Sequence, residues 1–316
     1  MSGYRKRKRI LLLPIFLIEK EMMKNYLLYV LLLCTLPLCA GQKKEKLLLS
    51  GSGWNKIVIV DKESKTIEWE HPLSMHWECN SVSFTPDGNI LFSYRRGAKV
   101  VGLNHEEVWR INAPAGCEMQ TARVLPDGNY LLAWTGHPAV MLEVDRKGEI
   151  LSKTEYETGI ENTHSQFRQV NKNKRGNYLL PLMGTGEIRE VSPKGELLRT
   201  VRVEGNPFTI MNGKGDCCWV ACGDRHRLLK IDWRSGEVLA QFGENDIDNV
   251  RLFFVAGLCP VSGDGLYVCN WQGHSPDAAK SNMPQLFQLD AQGRCVWSLN
   301  DNRIFGMISA VDSSFR

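Results

Sequence analysis

The sequence lacks the short motifs that mark common catalytic and cofactor sites. It contains no nucleophile elbow, no phosphate-binding loop and no dinucleotide fingerprint. Its loops hold no His-x-His, His-x-x-x-His or Cys-x-x-Cys pair. A metal site would therefore need imidazoles from separate parts of the chain, namely His137, His164, His226 and His274. We accordingly predict no metal ion and no cofactor.

Cysteine and net charge are also scarce. Ten cysteines in 316 residues are too few for a disulfide scaffold. Residues 1–41 carry seven of the 39 Lys/Arg and two of the 35 Asp/Glu, so the remainder has 32 basic and 33 acidic residues. The basic excess therefore belongs to the N-terminus. Without a basic stripe on the remaining chain, we predict no nucleic-acid partner.

No apolar run is long enough to span a bilayer. A basic cluster at residues 5–9 precedes an apolar run at residues 10–18, and a second run covers residues 26–38. Both fall short of the ~18 to 20 residues that a spanning helix needs. The second run ends in small residues, as a bacterial secretory signal does. The stretch from Met23, "MKNYLLYVLLLCTLPLCAGQ", is complete as such a signal.

These features predict an exported protein. We assign residues 1–41 to a signal region, with Met23 as an alternative start, and residues 42–316 to one domain. The expected location is the periplasm, the cell surface or the medium. Lipid attachment at Cys39 is the less favoured alternative, since Leu38 stands where lipoprotein signals place a small residue.

Two turn signals repeat along residues 42–316. One has its glycine at 88, 128, 176, 215 and 265, with gaps of 40, 48, 39 and 50 residues. A second hairpin signal follows each after some twenty residues, as in "VDRKGEIL" and "LDAQGRCVW". Four short strands in each of six units of ~40 to 50 residues are typical of β-propeller blades.

The first unit holds only three strands, and the C-terminus supplies a fourth. The stretch "FGMISAVDSS" is similar to "CNSVSFTPDG", which opens the second unit. We therefore predict an all-β, six-bladed propeller of four-stranded antiparallel blades. The strand near residues 308–313 should complete blade one and remove the open sheet edges.

The recurring close of the fourth strand, of the form D-x-x-G-E-x-x-W, supports a family resemblance. It resembles the tryptophan-bearing strand of the quinoprotein-alcohol-dehydrogenase-like and outer-membrane-assembly-lipoprotein propellers. Six blades and an export signal are similar to the secreted propeller-repeat proteins of bacteria, including the arylsulfotransferase-like group. The resemblance implies the fold. It implies no quinone cofactor, because the dedicated cofactor residues have no counterpart here.

Unusual side chains concentrate in the loops of one propeller face. The hairpin turns lie on the opposite face. The loops between second and third strands and the crossovers between blades therefore lie on the same face, which we call the crossover face. Their ligand-binding candidates are Trp77, Glu78, Trp134, His137, Gln166, Trp271, Gln272 and His274. The motif Trp-x-Gly-His occurs twice, in blades three and six. We expect these two segments to approach an axial funnel from opposite sides.

Two functions fit this face. The first is a binding module, in which aromatic rings stack on a glycan or another small molecule and polar groups satisfy its hydroxyls. The second is a carbohydrate-active enzyme of the lyase, hydrolase or sulfotransferase kind. In that case His164 is the expected general base, Glu118 its partner and Arg168 the group that stabilises negative charge. His137 and His274 are alternative bases.

Overall fold

A computed structural model describes residues 44–74, 77–275, 282–301 and 305–314. Residues 44–316 form one compact unit. The predicted signal region, including Cys39, lies outside the described residues, as does part of the long loop in blade six. No helix in the described ranges is long and apolar enough to cross a membrane.

Six four-stranded antiparallel sheets form the fold, as the sequence predicts. The strands of the first three blades, in chain order, are β1 (Lys46–Ser50), β2 (Lys56–Asp61), β3 (Thr66–Pro72), β4 (Val82–Phe84), β5 (Ile90–Tyr94), β6 (Gly97–Val101), β7 (Glu107–Asn112), β8 (Glu118–Val124), β9 (Tyr130–Thr135), β10 (Ala139–Val144) and β11 (Ile150–Tyr156).

The other blades follow the same plan. Their strands are β12 (Asn171–Lys172), β13 (Tyr178–Leu182), β14 (Glu187–Val191), β15 (Leu197–Arg202), β16 (Thr209–Asn212), β17 (Cys217–Ala221), β18 (Leu228–Asp232), β19 (Val238–Phe242), β20 (Phe254–Val261), β21 (Gly265–Trp271), β22 (Leu286–Leu289) and β23 (Cys295–Leu299). The last strand of the chain, β24 (Ala310–Ser313), belongs to blade one. Two 3₁₀ turns, Thr163–Ser165 and Ser262–Asp264, interrupt them.

The burial of each strand follows its place in the blade. The second strand of a blade is covered by blades on both sides, and β5 and β13 are buried at every position. The fourth strand lies at the rim, where β7 alternates between exposed and half-buried side chains. The hairpin turns need glycine: Gly88 has φ +78° and its N–H bonds the Thr85 carbonyl at 3.0 Å.

The C-terminal strand closes the ring. β24 pairs antiparallel with β1, with Leu47 opposite Ser313 and Leu49 opposite Val311. This confirms the prediction that the C-terminus completes blade one. Asp312 Oδ2 accepts the Phe84 N–H at 2.8 Å, which links the closing strand to blade two. β1 therefore has a paired strand on each side at the junction of the ring.

A partly buried carboxylate stabilises the same junction. Glu45 accepts hydrogen bonds from Lys62 (2.7 Å), the Ser313 hydroxyl (2.7 Å) and the Tyr267 hydroxyl (2.9 Å). Burial alone would raise the pKa of Glu45, but these donors outweigh it and hold the pKa below its usual value. Glu45 therefore joins blades one and six as an ionised acceptor.

Candidate functional site

A cavity of about 320 Å³ lies on the propeller axis at the crossover face. Its walls come from loops of five blades, but the β9–β10 loop of blade three contributes none of them. The lining residues are Ser52, Glu78, Asn80, His164, Ser165, Arg168, Met183, Gly184, Asn206, Phe208, Asp224, Phe254, Trp271, His274 and Ser309. One wall of the cavity is charged, and another wall is aromatic.

The charged wall centres on an imidazole held between a carboxylate and a guanidinium. Glu118 begins β8, and its Oε2 lies 2.8 Å from Nδ1 of His164. Arg168 Nη2 lies 2.8 Å from Nε2 of the same ring. A guanidinium only donates, so Nε2 must accept and Nδ1 must carry the proton given to Glu118. Both ring nitrogens of His164 are therefore occupied.

Further donors keep Glu118 ionised. Arg95 donates to its Oε1 from Nη2 at 2.6 Å and Nε at 3.0 Å, and Gln120 donates to Oε2 at 3.0 Å. The hydrogen bond from His164 and the charge of Arg95 lower the pKa of Glu118 to about 2, against the opposing effect of burial. The carboxylate is thus a fixed negative charge at neutral pH.

Arg168 is a buried cation that faces the cavity. Its residue is 4% exposed, and burial lowers the pKa of the guanidinium while the Glu78 carboxylate opposes this shift. Nη1 donates to the carbonyls of His164 (2.7 Å) and Phe167 (3.1 Å). Nε lies 3.7 Å from Glu78 Oε1 and has no hydrogen-bond partner in the described ranges. Within those ranges, the Nε–H is therefore a buried donor that makes no hydrogen bond.

A second carboxylate–imidazole pair lines the same cavity. Asp224 follows Gly223 in the β17–β18 loop, and its Oδ1 lies 2.8 Å from Nδ1 of His274. Because the carboxylate only accepts, it holds the proton of a neutral His274 on Nδ1. Nε2 of His274 has no hydrogen-bond partner among the residues that the structure describes. This nitrogen can therefore accept a proton.

The aromatic wall consists of Phe208, Phe254 and Trp271. Their rings meet edge to face, with centroids 5.1 Å apart for the two phenylalanines and 5.4 Å apart for Phe254 and Trp271. Trp271 Nε1 donates to the Ser52 carbonyl at 2.8 Å, which fixes the indole. A Cβ on Gly273 would lie 2.1 Å from the indole Cζ2, so only glycine leaves room for this ring.

Several predicted site residues lie elsewhere. Trp134 is 7% exposed in the core between blades two and three. His137 is exposed beyond the cavity, with Nε2 3.0 Å from the Glu161 carbonyl. Trp77 stacks on Tyr94 in a separate groove, with ring centroids 4.4 Å apart. Packing and local hydrogen bonding therefore account for these three side chains.

The two predicted glutamines are buried, and their side chains bond the backbone of nearby loops. Gln166 donates to the carbonyls of Gly136 (3.1 Å) and Ile160 (3.0 Å) and accepts from the Gly136 N–H (2.9 Å). Gln272 donates to the Met283 carbonyl at 3.2 Å. Both side chains hold crossover loops in place and do not line the cavity.

The cavity also uses residues that the sequence analysis did not select. Phe208 and Phe254 stand where the chain enters blades five and six, a position that they share with Glu78 and Arg168 in their own crossovers. Asp224 lies on the same face in "CGDRHR". Their position on the crossover face could have indicated a role in the site. An isolated Phe or Asp in a loop belongs to no recognisable motif, however, so the sequence did not distinguish these residues.

One group of described residues could hold a metal ion. Glu78, Glu118 and His164 offer ligand atoms within 4.8 Å of one another. Arg95 already pairs with Glu118, and Arg168 lies beside Glu78. These guanidinium groups neutralise both carboxylates, so a cation would have to displace them.

The fold is shared with solved structures. A Bacteroides caccae protein of unknown function is 54% identical, covers 87% of this chain and 100% of its own, and has a TM-score of 0.84. Virginiamycin B lyase from Staphylococcus aureus, solved with quinupristin, is 13% identical over 84% of this chain and 87% of its own (TM-score 0.56). A streptogramin B lyase is 14% identical over 81% and 80% (TM-score 0.56).

The likeness to the lyases shows the propeller architecture alone, since so few residues are identical. No curated protein matches the sequence. The sequence profile of the Mal s 1 allergenic protein-like family matches residues 50–294, which is most of the propeller. The chain therefore belongs to the Mal s 1 allergenic protein-like family.

Proposed function

We propose that the protein binds a small molecule, such as a short glycan, in the axial cavity. The observation that carries this proposal is the pairing of an aromatic wall with a charged wall around about 320 Å³. This volume falls in the range of small-ligand pockets, which combine apolar surface with a few fixed polar groups. Trp271 and Phe254 supply the apolar surface.

The polar groups suit a ligand with hydroxyl or carboxylate oxygens. Arg168 adds positive charge to the lining, while Asn80 and Ser309 add amide and hydroxyl groups. A sugar ring presents an apolar face to aromatic rings and hydroxyls at its rim. A sugar ring can therefore contact the aromatic wall with its apolar face and the charged wall with its hydroxyls.

A pair of matched tryptophan variants tests the binding. Trp271 and Trp297 both belong to blade six, both are half-buried, and both donate Nε1–H to a carbonyl of blade one. Trp271→Ala should weaken glycan binding by ~1 to 3 kcal/mol, because a contacting aromatic ring is lost. Trp297→Ala should leave affinity unchanged in the same glycan-array and calorimetric titrations. Equal affinities for both variants would reject the axial site.

A second function, lyase-type catalysis, is favoured by the Asp224–His274 pair. This pair has the arrangement of an oriented general base, with a carboxylate on Nδ1 and an Nε2 that has no hydrogen-bond partner among the described residues. His164 is less suited to that role because its Nε2 accepts from Arg168. Virginiamycin B lyase shares the fold, and its structure was solved as a catalytically inactive histidine-to-alanine variant.

The proposed reaction is an elimination. His274 Nε2 removes a proton from the carbon next to a carboxylate of the substrate. That electron pair forms a carbon–carbon double bond, and the bond to the leaving oxygen breaks. The oxygen departs as an alcohol after taking a proton from water. Arg168 stabilises the negative charge that builds on the substrate carboxylate.

Three variants test this second function. His274→Ala should lower turnover of a uronate-containing glycan by about 10²- to 10⁴-fold, as the loss of a general base does. Asp224→Asn should lower it less, since it only misorients the ring. His137→Ala, an exposed histidine outside the cavity, serves as the control. Full turnover in His274→Ala, measured by ultraviolet absorbance of the unsaturated product, would exclude the mechanism.

We also propose that the protein works outside the cytoplasm, in the periplasm, at the cell surface or in the medium. The signal-like sequence from Met23 and its small-residue end support this. Mass spectrometry of envelope and secreted fractions should find an N-terminus near residues 40–42, or a lipid on Cys39 in the alternative. An intact N-terminus confined to the cytosol would contradict export.

A further inference from the structure

A second concave surface lies on the crossover face beside the axial cavity. It has a volume of about 900 Å³ and runs between blade two and the crossover into blade three. Its walls are the β5–β6 turn, the end of β7 and the loop at residues 113–117. We name it the arginine groove, after Arg95, Arg96 and Arg110.

Positive charge dominates this groove. Three guanidinium groups line it, against a single carboxylate, that of Glu118. Glu118 is 5% exposed and its Oε1 is already taken by Arg95. Arg110 pairs with Glu107 at 2.9 Å, on the strand outside the groove. Two of the three guanidinium groups are thus paired with carboxylates, and the groove keeps a net positive charge through Arg96.

Arg96 is the least compensated of the three. Its side chain is exposed and has no ion pair or hydrogen bond in the part of the chain that the structure describes. Its main chain is fixed, because its carbonyl accepts the Ala113 N–H at 2.8 Å. The main chain thus fixes where this side chain starts, and the guanidinium brings five N–H donors to the groove.

An ordered aromatic pair forms one side of the groove. Trp77 lies on Tyr94 with an angle of 19° between the rings, and the Tyr94 hydroxyl donates to Asn112 Oδ1 at 3.2 Å. Lys99 Nζ lies 4.9 Å from the Trp77 ring centroid. The groove therefore combines three arginines with an ordered aromatic side.

We propose that the arginine groove binds an anionic oligosaccharide through its sulfate or carboxylate groups. Guanidinium forks match the oxygens of both groups, and several arginines together bind charges spaced along one chain. Trp77 and Tyr94 in the lining add aromatic surface beside these charges, which a sugar ring can contact. This proposal does not depend on whether the axial cavity is occupied.

Calorimetric titration of the processed chain with a sulfated tetrasaccharide tests the groove. The double variant Arg96→Gln, Arg110→Gln should bind about tenfold more weakly, because two charge-assisted contacts are lost. The matched control is Arg202→Gln, Arg294→Gln, which removes two arginines with side chains 88% and 73% exposed on other blades. The control should bind as tightly as the wild type. Affinity for the wild type should also fall as salt rises.

Each other outcome would overturn the proposal. Equal loss in the two double variants would mean that the protein binds by net charge alone. Equal affinity for the desulfated tetrasaccharide would exclude recognition of the anionic groups, and equal affinity for inorganic sulfate would exclude recognition of the chain. Tighter, Arg96-dependent binding of a polyglutamate peptide or an oligonucleotide would assign the groove to that partner instead. Thermal melts should show the same stability for all variants, since the replaced side chains are exposed.

Discussion

The two Trp-x-Gly-His segments share a sequence motif but have different structural roles. In blade three, Trp134 is buried in the core and His137 lies outside the axial cavity. In blade six, Trp271 and His274 line that cavity. The same Trp-x-Gly-His motif thus forms packing on one side of the ring and a site wall on the other.

Loop length explains the difference. Three residues join β9 to β10, whereas fourteen join β21 to β22. The short loop keeps Trp134 inside the ladder, paired with Met119 on one side and Val140 on the other. Trp271 lies beyond the part of β21 that pairs with β22, and its only strand partner in the ladder is Phe254 of β20. Local strand pairing, and not the motif, decides where the indole points.

The largest expected effect is on stability in blade three. Trp134→Ala should lower the free energy of unfolding by ~3 to 5 kcal/mol, because a buried indole leaves a cavity in the core. Trp271→Ala should cost clearly less, since its ring is half-buried at the cavity wall. Chemical denaturation of both variants measures the difference. Equal losses would show that the two segments pack alike.

A smaller effect concerns Glu118, which pairs with Thr135 in the blade-three ladder and supports His164 in the cavity wall. Its pKa is about 2 in the fold, below the ordinary value of 4.5. Its ionised form therefore stabilises the protein above pH 4.5, and this contribution is lost as the pH falls from 4.5 towards 2. Wild type should lose on the order of 2 kcal/mol over that interval from this group.

Glu118→Gln should show a correspondingly flatter acid dependence in denaturation at pH 5 and pH 3. Glu149→Gln, at an exposed hairpin turn, is the control and should follow the wild-type curve. If Glu118→Gln keeps the wild-type slope, the carboxylate does not couple blade three to the site.

The smallest expected effect separates the two glycines. A Cβ on Gly273 would lie 2.1 Å from the Trp271 ring, and a Cβ on Gly136 would lie 2.7 Å from Cys117 Sγ. Each Gly→Ala replacement should cost about 1 kcal/mol of stability, as local overpacking does. Only Gly273→Ala should also weaken ligand binding, because it displaces a cavity wall. Weaker binding in Gly136→Ala, measured in the same titrations, would bring blade three back into the site.

The site could be predicted in part. Glu118, His164 and Arg168 were selected as one group, and the structure joins them by two 2.8 Å contacts. Asp224 was not selected, and it becomes visible only when the β17–β18 and β21–β22 loops meet. The roles of Gln166 and Gln272 could not be predicted either, because a polar side chain in a loop can face a ligand or brace the backbone.

The sequence alone determined the strand pattern, the six blades and the closing C-terminal strand. Turn glycines and short apolar runs act locally, so their spacing sets the hairpins and the number of repeats. Only the tertiary structure decided which loops reach the axis. Loops of similar composition differ in length and in strand pairing, and these set whether a side chain enters the ladder or the cavity. Two segments with the same Trp-x-Gly-His motif therefore have different surroundings, because burial depends on the neighbouring blades and not on the segment itself.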